Sequence, residues 1–147
     1  MYLTRQRALI CVALMAALLA GVGTASAAEK RDGVFIHISQ GTAEPHRVLM
    51  ALNMANMWSE DHPVLVYFDI KGIEVVLKDS KDITFAHFPS SKTALANLLK
   101  KGVVIMACPG CLKAAGKTPA DLAPGIKVAD KKQFFGFTEG RIITLDY

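Results

Sequence analysis

Three continuous runs of apolar residues constrain the fold of this chain more than any other feature. They cover 34–38, 64–68 and 103–107, and most of their members are β-branched or aromatic. A strand with one face in water alternates apolar and polar residues, whereas a strand covered on both faces is apolar throughout. These runs therefore predict buried strands. Less uniformly apolar segments at 126–128 and 141–145 predict two more, for a sheet of about five strands.

Helical patterns separate the predicted strands. Strong helix-forming residues with helical spacing cover 47–59, 90–101 and 109–115, and shorter helical segments are predicted at 72–78 and 131–135. Strands that alternate with helices predict an α/β fold, with a mainly parallel sheet between two helical layers. Ligand sites in such folds lie at the carboxyl ends of the strands, so the loops at 39–44, 69–72 and 108–111 are the candidates.

The first 27 residues have the three-part layout of a secretory signal peptide. Arg5 and Arg7 precede an apolar run over 8–20, and an Ala-x-Ala cleavage site ends at Ala27. A helix of that length spans about 20 Å, which is short of the roughly 30 Å hydrocarbon core of a bilayer. We expect cleavage after Ala27, a single domain over 28–147, a periplasmic or secreted location, and no remaining membrane anchor.

Charge and composition exclude several classes of protein. Removal of the two signal-peptide arginines leaves 15 basic and 13 acidic residues, and no basic run exceeds two residues. A nucleic-acid-binding protein would carry a basic patch, so we expect no nucleic-acid partner. Because hydrophobic residues make up 52% of the chain and charged residues 20%, intrinsic disorder is also excluded.

The strongest chemical signal is the sequence Cys-Pro-Gly-Cys at 108–111. It follows a predicted strand and opens a predicted helix, so Cys108 falls at the helix N-terminus. Unpaired N–H groups and the helix dipole lower the pKa of a thiol at that position, and Lys113 adds positive charge nearby. The pattern predicts a nucleophilic thiol at Cys108, with Cys111 as the thiol that resolves its adducts by exchange.

Other roles for the cysteine pair remain open at this stage. A structural disulfide over so short a loop would add little stability. A zinc site needs four ligands, and no second cysteine pair accompanies this one, so we expect no zinc. A thioredoxin-like redox motif would lie near the start of its fold, whereas only 36 residues follow Cys111.

A methionine stripe raises soft-metal binding as an alternative function. Met50, Met54 and Met57 lie at helical spacing one turn after His46, and thioethers together with thiolates are ligands for Cu(I). The same methionines would also fill a helix face in the core, which is the more ordinary reading. A third alternative is a non-catalytic subunit of an oligomeric assembly.

Two residues at the start of the 47–59 helix are weaker candidates. His46 lies near the predicted crevice and is a candidate general base for Cys108, and Glu44 is a candidate anion at the helix start. We expect His37, inside the first strand, to be a core residue with satisfied hydrogen bonds. No glycine-rich phosphate loop is present, so we expect no nucleotide or flavin cofactor.

Four segments of the chain resemble the DsrE/DsrF-like sulfur-relay family, in particular its small exported members with a Cys-Pro-x-Cys motif. The segments are 34–38 with the helix start at His46, 66–74 with Asp69 where the family usually has Asn, 98–102, and 107–116. The resemblance implies a flavodoxin-like three-layer domain that forms homo-oligomers, usually trimers or hexamers. It implies that Cys108 accepts sulfur as a persulfide and passes it to a partner. Asp69, in the matching turn, is a candidate binding residue together with His46, Glu44 and Lys113.

Overall fold

The computed structural model describes residues 30–147, and the predicted signal peptide over 1–27 lies outside the described residues. The elements, in chain order, are β1 (Gly33–Ile38), α1 (Pro45–Trp58), β2 (Val64–Phe68), a 3-10 helix (Ile70–Val75), α2 (Ser91–Lys100), β3 (Val104–Ala107), α3 (Pro109–Ala114), a second 3-10 helix (Pro119–Asp121), β4 (Lys127–Val128), α4 (Lys131–Phe135) and β5 (Ile142–Asp146). None of the helices in residues 30–147 has the length and apolar character needed to cross a bilayer.

The five strands form one sheet in the order β4-β3-β2-β1-β5, and every neighbouring pair is parallel. The predicted α/β class, strand number and parallel sheet are therefore confirmed. The three longest apolar runs occupy the middle of the sheet, where both faces are covered. Because all strands are parallel, their carboxyl ends lie at one edge, which is where the cysteine motif follows β3.

Most element boundaries differ from the sequence prediction by one or two residues, and two of the differences have local explanations. The third strand begins one residue later than expected because the N–H of Val103 still bonds back to the last turn of α2. This N–H donates to the carbonyl of Leu98 at 3.0 Å, after Gly102 has turned the chain at φ 78°. This is the hydrogen-bond pattern with which glycine commonly ends a helix. The segment predicted as a short helix at 72–78 is the 3-10 helix over Ile70–Val75.

The main core lies between the sheet and the face formed by α1 and α2. Successive side chains of a strand point to opposite faces, so alternate residues of the central strands enter this core. The large, fully buried strand side chains on this face are Ile36, Ile38, Val66, Phe68 and Ile105. Burying a side chain of this size stabilises the fold by roughly 1.5–3 kcal/mol.

A shorter layer covers the opposite face of the sheet. Phe134 of α4 packs on Phe35 of β1, with ring centroids 5.1 Å apart, and on Tyr67 of β2, with centroids 5.3 Å apart. Sheet and helices therefore form three layers. The outer residue of this layer, Phe135, is 63% exposed.

Backbone hydrogen bonds bring the three candidate loops together at the carboxyl edge. The N–H of Cys108 donates to the carbonyl of Phe68 at 2.8 Å, and the N–H of Gly72 donates to the carbonyl of Ser39 at 3.2 Å. Gly72 lies so close to β1 that a Cβ atom at this position would collide with the carbonyl oxygen of Ile38. A glycine at 72 thus allows the 3-10 helix to approach β1 beside the cysteine motif.

Candidate functional site

Cys108 is the N-cap residue of α3. Its backbone is extended, with φ −62° and ψ 122°, and Pro109 occupies the first helical turn, where a missing N–H costs nothing. The Cys108 sulfur accepts a hydrogen bond from the N–H of Cys111 at 3.3 Å. The structure therefore places Cys108 where the sequence predicts it, at the junction of β3 and α3.

The surroundings of Cys108 favour its thiolate. Partial burial raises the pKa of the Cys108 thiol, but the hydrogen bonds donated to its sulfur outweigh that effect. They come from the Tyr67 hydroxyl, from the N–H groups of Cys111 and Gly110, and from the Cys111 thiol, and together they hold the pKa of Cys108 below its ordinary value. Negative charge on this sulfur is thus stabilised by groups that the fold holds in place.

The second thiol is shifted in the opposite direction. The hydrogen bond between the two sulfurs raises the pKa of Cys111, and the N–H of Ile70 lowers that pKa by less. Burial and the negative charges of Cys108 and Asp69 raise it further. Both cysteines are free thiols. The first proton to leave the pair therefore comes from Cys108, and Cys111 keeps its own.

Tyr67 is a site residue that the sequence analysis missed. Burial raises the pKa of Tyr67 far above its ordinary value, and the hydrogen bond to Cys108 and the nearby charge of Asp69 raise it further. The phenol consequently stays protonated and acts as a hydrogen-bond donor. Its ring is fixed edge-on against Phe134, with centroids 5.3 Å apart. The alternation of side chains along β2 could have indicated this role. Val66 and Phe68 face the core, so Tyr67 between them must point to the opposite face of the sheet.

His37 is half-buried at the carboxyl edge of the sheet, which differs from the expected core position. Its Nε2 atom lies 2.9 Å from Oδ1 of Asp69, and its Nδ1 atom lies 2.7 Å from Oδ1 of Asp146. Burial lowers the pKa of His37, but the interactions with Asp146 and Asp69 raise it more, so the net shift is upward. Asp69 thus joins the site as predicted, with His37 as its direct partner.

Within residues 30–147, no hydrogen bond or ion pair joins the other three predicted site residues to the thiols. His46 is exposed and stacks on Phe85, with ring centroids 4.7 Å apart, so the role of general base for Cys108 is not supported. Glu44 is exposed at the N-cap of α1, and its side chain makes no capping hydrogen bond. Lys113 is exposed in the last turn of α3. These three residues were candidates because they lie near the predicted crevice in the sequence, and that position does not determine where their side chains point.

An open cleft of about 570 Å³ adjoins Cys111. It runs between the 3-10 helix over Ile70–Val75 and α3, and its lining is mostly apolar, with Lys71, Glu74 and Lys117 at the rim. Cys111 is the sulfur that lines this cleft. A second cleft of about 600 Å³ lies at the amino end of the sheet and includes none of the candidate residues.

The described residues give no preformed metal centre. Within 30–147, no group of three or more His, Cys, Asp or Glu side chains is placed to hold an ion. Of the methionine stripe, Met54 packs against the core and Met57 is 55% exposed.

Comparison with known proteins bears on the fold and the family. The sequence profile described as the DsrE/DsrF-like family matches residues 32–139. No curated protein matches the chain.

Two solved structures share the fold, and at these identities the likeness concerns the fold alone. One is the protein of unknown function MTH1491 from Methanobacterium thermoautotrophicum. It is 23% identical, with a TM-score of 0.57, and the match covers 78% of this chain and 99% of that one. The other is the ychN protein from E. coli, 13% identical with a TM-score of 0.59, covering 79% of this chain and 99% of that one. Since the family profile spans most of the sequence, the chain belongs to the DsrE/DsrF-like family.

Proposed function

We propose that this protein is a sulfur carrier that takes up sulfane sulfur on Cys108 as a persulfide, with Cys111 as the resolving thiol. Membership of the DsrE/DsrF-like family suggests a role of the sulfur-relay type. The observation that carries the finer proposal is the environment of Cys108. Tyr67, Cys111 and Gly110 all donate hydrogen bonds to its sulfur, which favours the thiolate that sulfur transfer needs.

Uptake is a nucleophilic displacement at sulfur. The Cys108 thiolate attacks the outer sulfur of a donor persulfide or of inorganic polysulfide, so that a new S–S bond forms on Cys108. The S–S bond of the donor breaks, and the donor leaves as a thiolate or a shorter polysulfide. No net oxidation occurs, because one S–S bond replaces another.

Release follows one of two routes from the Cys108 persulfide. An acceptor thiolate attacks the outer sulfur and carries it away, and Cys108 leaves as the thiolate. A low pKa of the Cys108 thiol makes it a good leaving group in that step. Alternatively, the Cys111 thiolate attacks the inner sulfur, which forms the Cys108–Cys111 disulfide and expels hydrosulfide. That disulfide then needs an external dithiol to return it to the reduced state.

Export and self-assembly belong to the same proposal. The arrangement of 1–27 supports an exported protein, cleaved after Ala27, that works in the periplasm or outside the cell. The mass of the protein recovered from the periplasm tests the cleavage. Its molar mass by light scattering tests the trimer or hexamer that the family resemblance implies.

Sulfur uptake tests the carrier role directly. Protein carrying Cys11→Ser, so that only Cys108 and Cys111 react, is reduced, exposed to inorganic polysulfide, alkylated and weighed intact. We expect a gain of whole sulfur atoms in the parent and none in the Cys108→Ser variant. The matched Cys111→Ser variant should gain sulfur and retain it, because it cannot expel hydrosulfide by closing a disulfide.

The same samples separate the alternatives. Sulfur uptake that survives Cys108→Ser would overturn the assignment of the accepting thiol. Uptake by none of the proteins would favour a non-catalytic assembly subunit. Stoichiometric copper in the purified parent that is lost in Cys108→Ser would favour the soft-metal alternative.

A further inference from the structure

A row of polar residues crosses the carboxyl edge of the sheet and ends at the thiol pair. Asp146 lies on β5, His37 on β1, Asp69 directly after β2, and the cysteine motif directly after β3. The strands stand in the order β3-β2-β1-β5, so each residue of the row is beside the next. His37 is the link between the two carboxylates.

His37 lies between two carboxylates. Oδ1 of Asp69 lies 2.9 Å from its Nε2 and Oδ1 of Asp146 lies 2.7 Å from its Nδ1, so each ring nitrogen is close to a carboxylate oxygen. The contact with Asp146 is a hydrogen bond, whereas the contact with Asp69 lacks hydrogen-bond alignment and acts as an attraction between charges, which favours the protonated imidazole. The Asp69 and His37 side chains are only 20% and 27% exposed, so water screens this pair weakly.

Asp69 needs this partner because its charge acts on the thiol site. Asp69 directly follows Phe68, whose carbonyl accepts the N–H of Cys108 at 2.8 Å, and the Asp69 charge is one of the smaller causes that raise the pKa of Cys111 and of Tyr67. An uncompensated Asp69 would therefore add to the stability of the protonated Cys111 thiol. Cys111 must lose that proton before it can attack a persulfide on Cys108. The positive charge on His37 lies on the other side of the same carboxylate and opposes its field.

We infer that His37 is a positioning residue that offsets the Asp69 carboxylate and thereby sets how readily Cys111 ionises, and so how long a persulfide survives on Cys108. The clause about the persulfide rests on the proposed function, whereas the control over Cys111 does not. With His37 charged, Cys111 ionises more readily and resolves the adduct. With His37 neutral, the Asp69 charge holds Cys111 protonated and the adduct persists.

Within residues 30–147, the charged groups that act on His37 are the carboxylates of Asp69 and Asp146, and the rings packed beside it are uncharged. The Tyr67 ring lies 5.9 Å away and the Phe35 ring 6.3 Å away, measured between centroids. The α4 layer contributes Phe134, which touches both of those rings and carries no charge.

The test measures ionisation of Cys111 apart from any sulfur chemistry. In a Cys11→Ser/Cys108→Ser background, the rate of Cys111 alkylation by iodoacetamide is recorded against pH. We expect His37→Gln to slow alkylation at neutral pH roughly threefold, and Asp69→Asn to speed it by a similar factor. The double variant should return towards the background rate, because both charges are gone.

The pattern of the three variants decides the outcome. If His37 and Asp69 had only a structural role, both single substitutions would change the alkylation rate of Cys111 in the same direction, and the double variant would show the largest change. That result would overturn the inference. Should His37→Gln fail to fold, Asp146→Asn tests the same point, since the loss of one carboxylate makes the His37 cation less stable and slows Cys111.

A second readout links the inference to the proposed function. With both site cysteines present, hydrosulfide release from polysulfide-treated protein should slow in His37→Gln and accelerate in Asp69→Asn. If alkylation follows the expected pattern but no variant ever gains sulfur, the carrier proposal fails and the role of His37 stands. If sulfur is gained and release is equal in all variants, the role in persulfide lifetime fails and the carrier proposal stands.

Discussion

Tyr67 and Cys108, at the ends of adjacent strands, share a hydrogen bond from the phenol hydroxyl to the cysteine sulfur. Tyr67 pairs in register with Met106, two residues before Cys108, so parallel pairing and the period of two bring the two side chains together. Because its pKa is raised, Tyr67 remains a donor across the physiological range. The tyrosine thus stabilises negative charge on the accepting sulfur without supplying a charge of its own.

Replacement of Tyr67 by Phe removes this donor and should raise the pKa of Cys108. A hydrogen bond to a charged group contributes about 1.5–3 kcal/mol, so its loss disfavours the Cys108 thiolate. In a Cys11→Ser/Cys111→Ser background, the pH midpoint of Cys108 alkylation should therefore move upward.

The ring of Phe keeps the edge-on contact with Phe134, so the Tyr67→Phe protein should unfold at nearly the parental temperature. Phe134→Leu is the matched control, since it loosens the ring packing but leaves the hydroxyl. An unchanged Cys108 midpoint in Tyr67→Phe would show that the hydroxyl does not stabilise the thiolate.

Cys108 also has a structural role, as the N-cap of α3. Serine is a strong N-cap residue, whereas alanine offers no acceptor for the N–H of Cys111. Cys108→Ala should therefore lower the free energy of unfolding by about 1 kcal/mol relative to Cys108→Ser. Denaturant unfolding of the two variants checks this, and equal stabilities would mean that the cap contributes nothing. The comparison also establishes Ser as the appropriate substitution for the sulfur-uptake experiment.

Gly72 should tolerate no side chain. A Cβ atom there would collide with the backbone carbonyl of Ile38, which cannot move without disturbing β1. Overpacking of this kind costs about 1–3 kcal/mol, so Gly72→Ala should unfold at a clearly lower denaturant concentration. Gly110→Ala is the matched control, because a Cβ atom there meets only the Cys108 sulfur, at 3.9 Å. If both variants were equally stable, the close approach of the 3-10 helix to β1 would be wrong.

His37 should make stability depend on pH near neutrality. Burial lowers its pKa, but the interactions with Asp146 and Asp69 raise it by more, so the folded protein binds this proton more tightly than the unfolded chain. Its contribution is therefore fully present below the ordinary histidine pKa of 6.5 and is lost as the pH rises through the higher folded value. The difference in unfolding free energy between the parent and His37→Gln should shrink over that window, and a difference that grows instead would contradict the sign.

The fold could be predicted from the sequence because the clearest pattern, the unbroken apolar strands, also reflects the burial of apolar surface that stabilises the fold most. Unbroken apolar strands such as 64–68 require cover on both faces, and the alternation with helices then leaves few arrangements other than a parallel sheet. The position of Cys108 at a helix start followed from the same pattern. What the pattern could not supply was strand order, and with it the identity of side-by-side residues.

The missed residues depend on that order. His37 gains its role from β5, which follows β4 in the chain but returns to pair with β1 and brings Asp146 alongside. Tyr67 gains its role because β2 and β3 are neighbours. The role expected for His46 failed for a related reason. Its position at a helix start suggested that it faces the crevice, but the fold stacks its ring on Phe85.

The most direct test of the central claim is the order in which the two thiols ionise. Protein carrying Cys11→Ser is pulsed briefly with iodoacetamide across a range of pH, and the number of alkylated thiols is read from the intact mass. We expect two separate steps, the first below the ordinary cysteine pKa and the second above it. Cys108→Ser should abolish the first step. A single step at the ordinary cysteine pKa, or a first step that survives Cys108→Ser, would contradict the account.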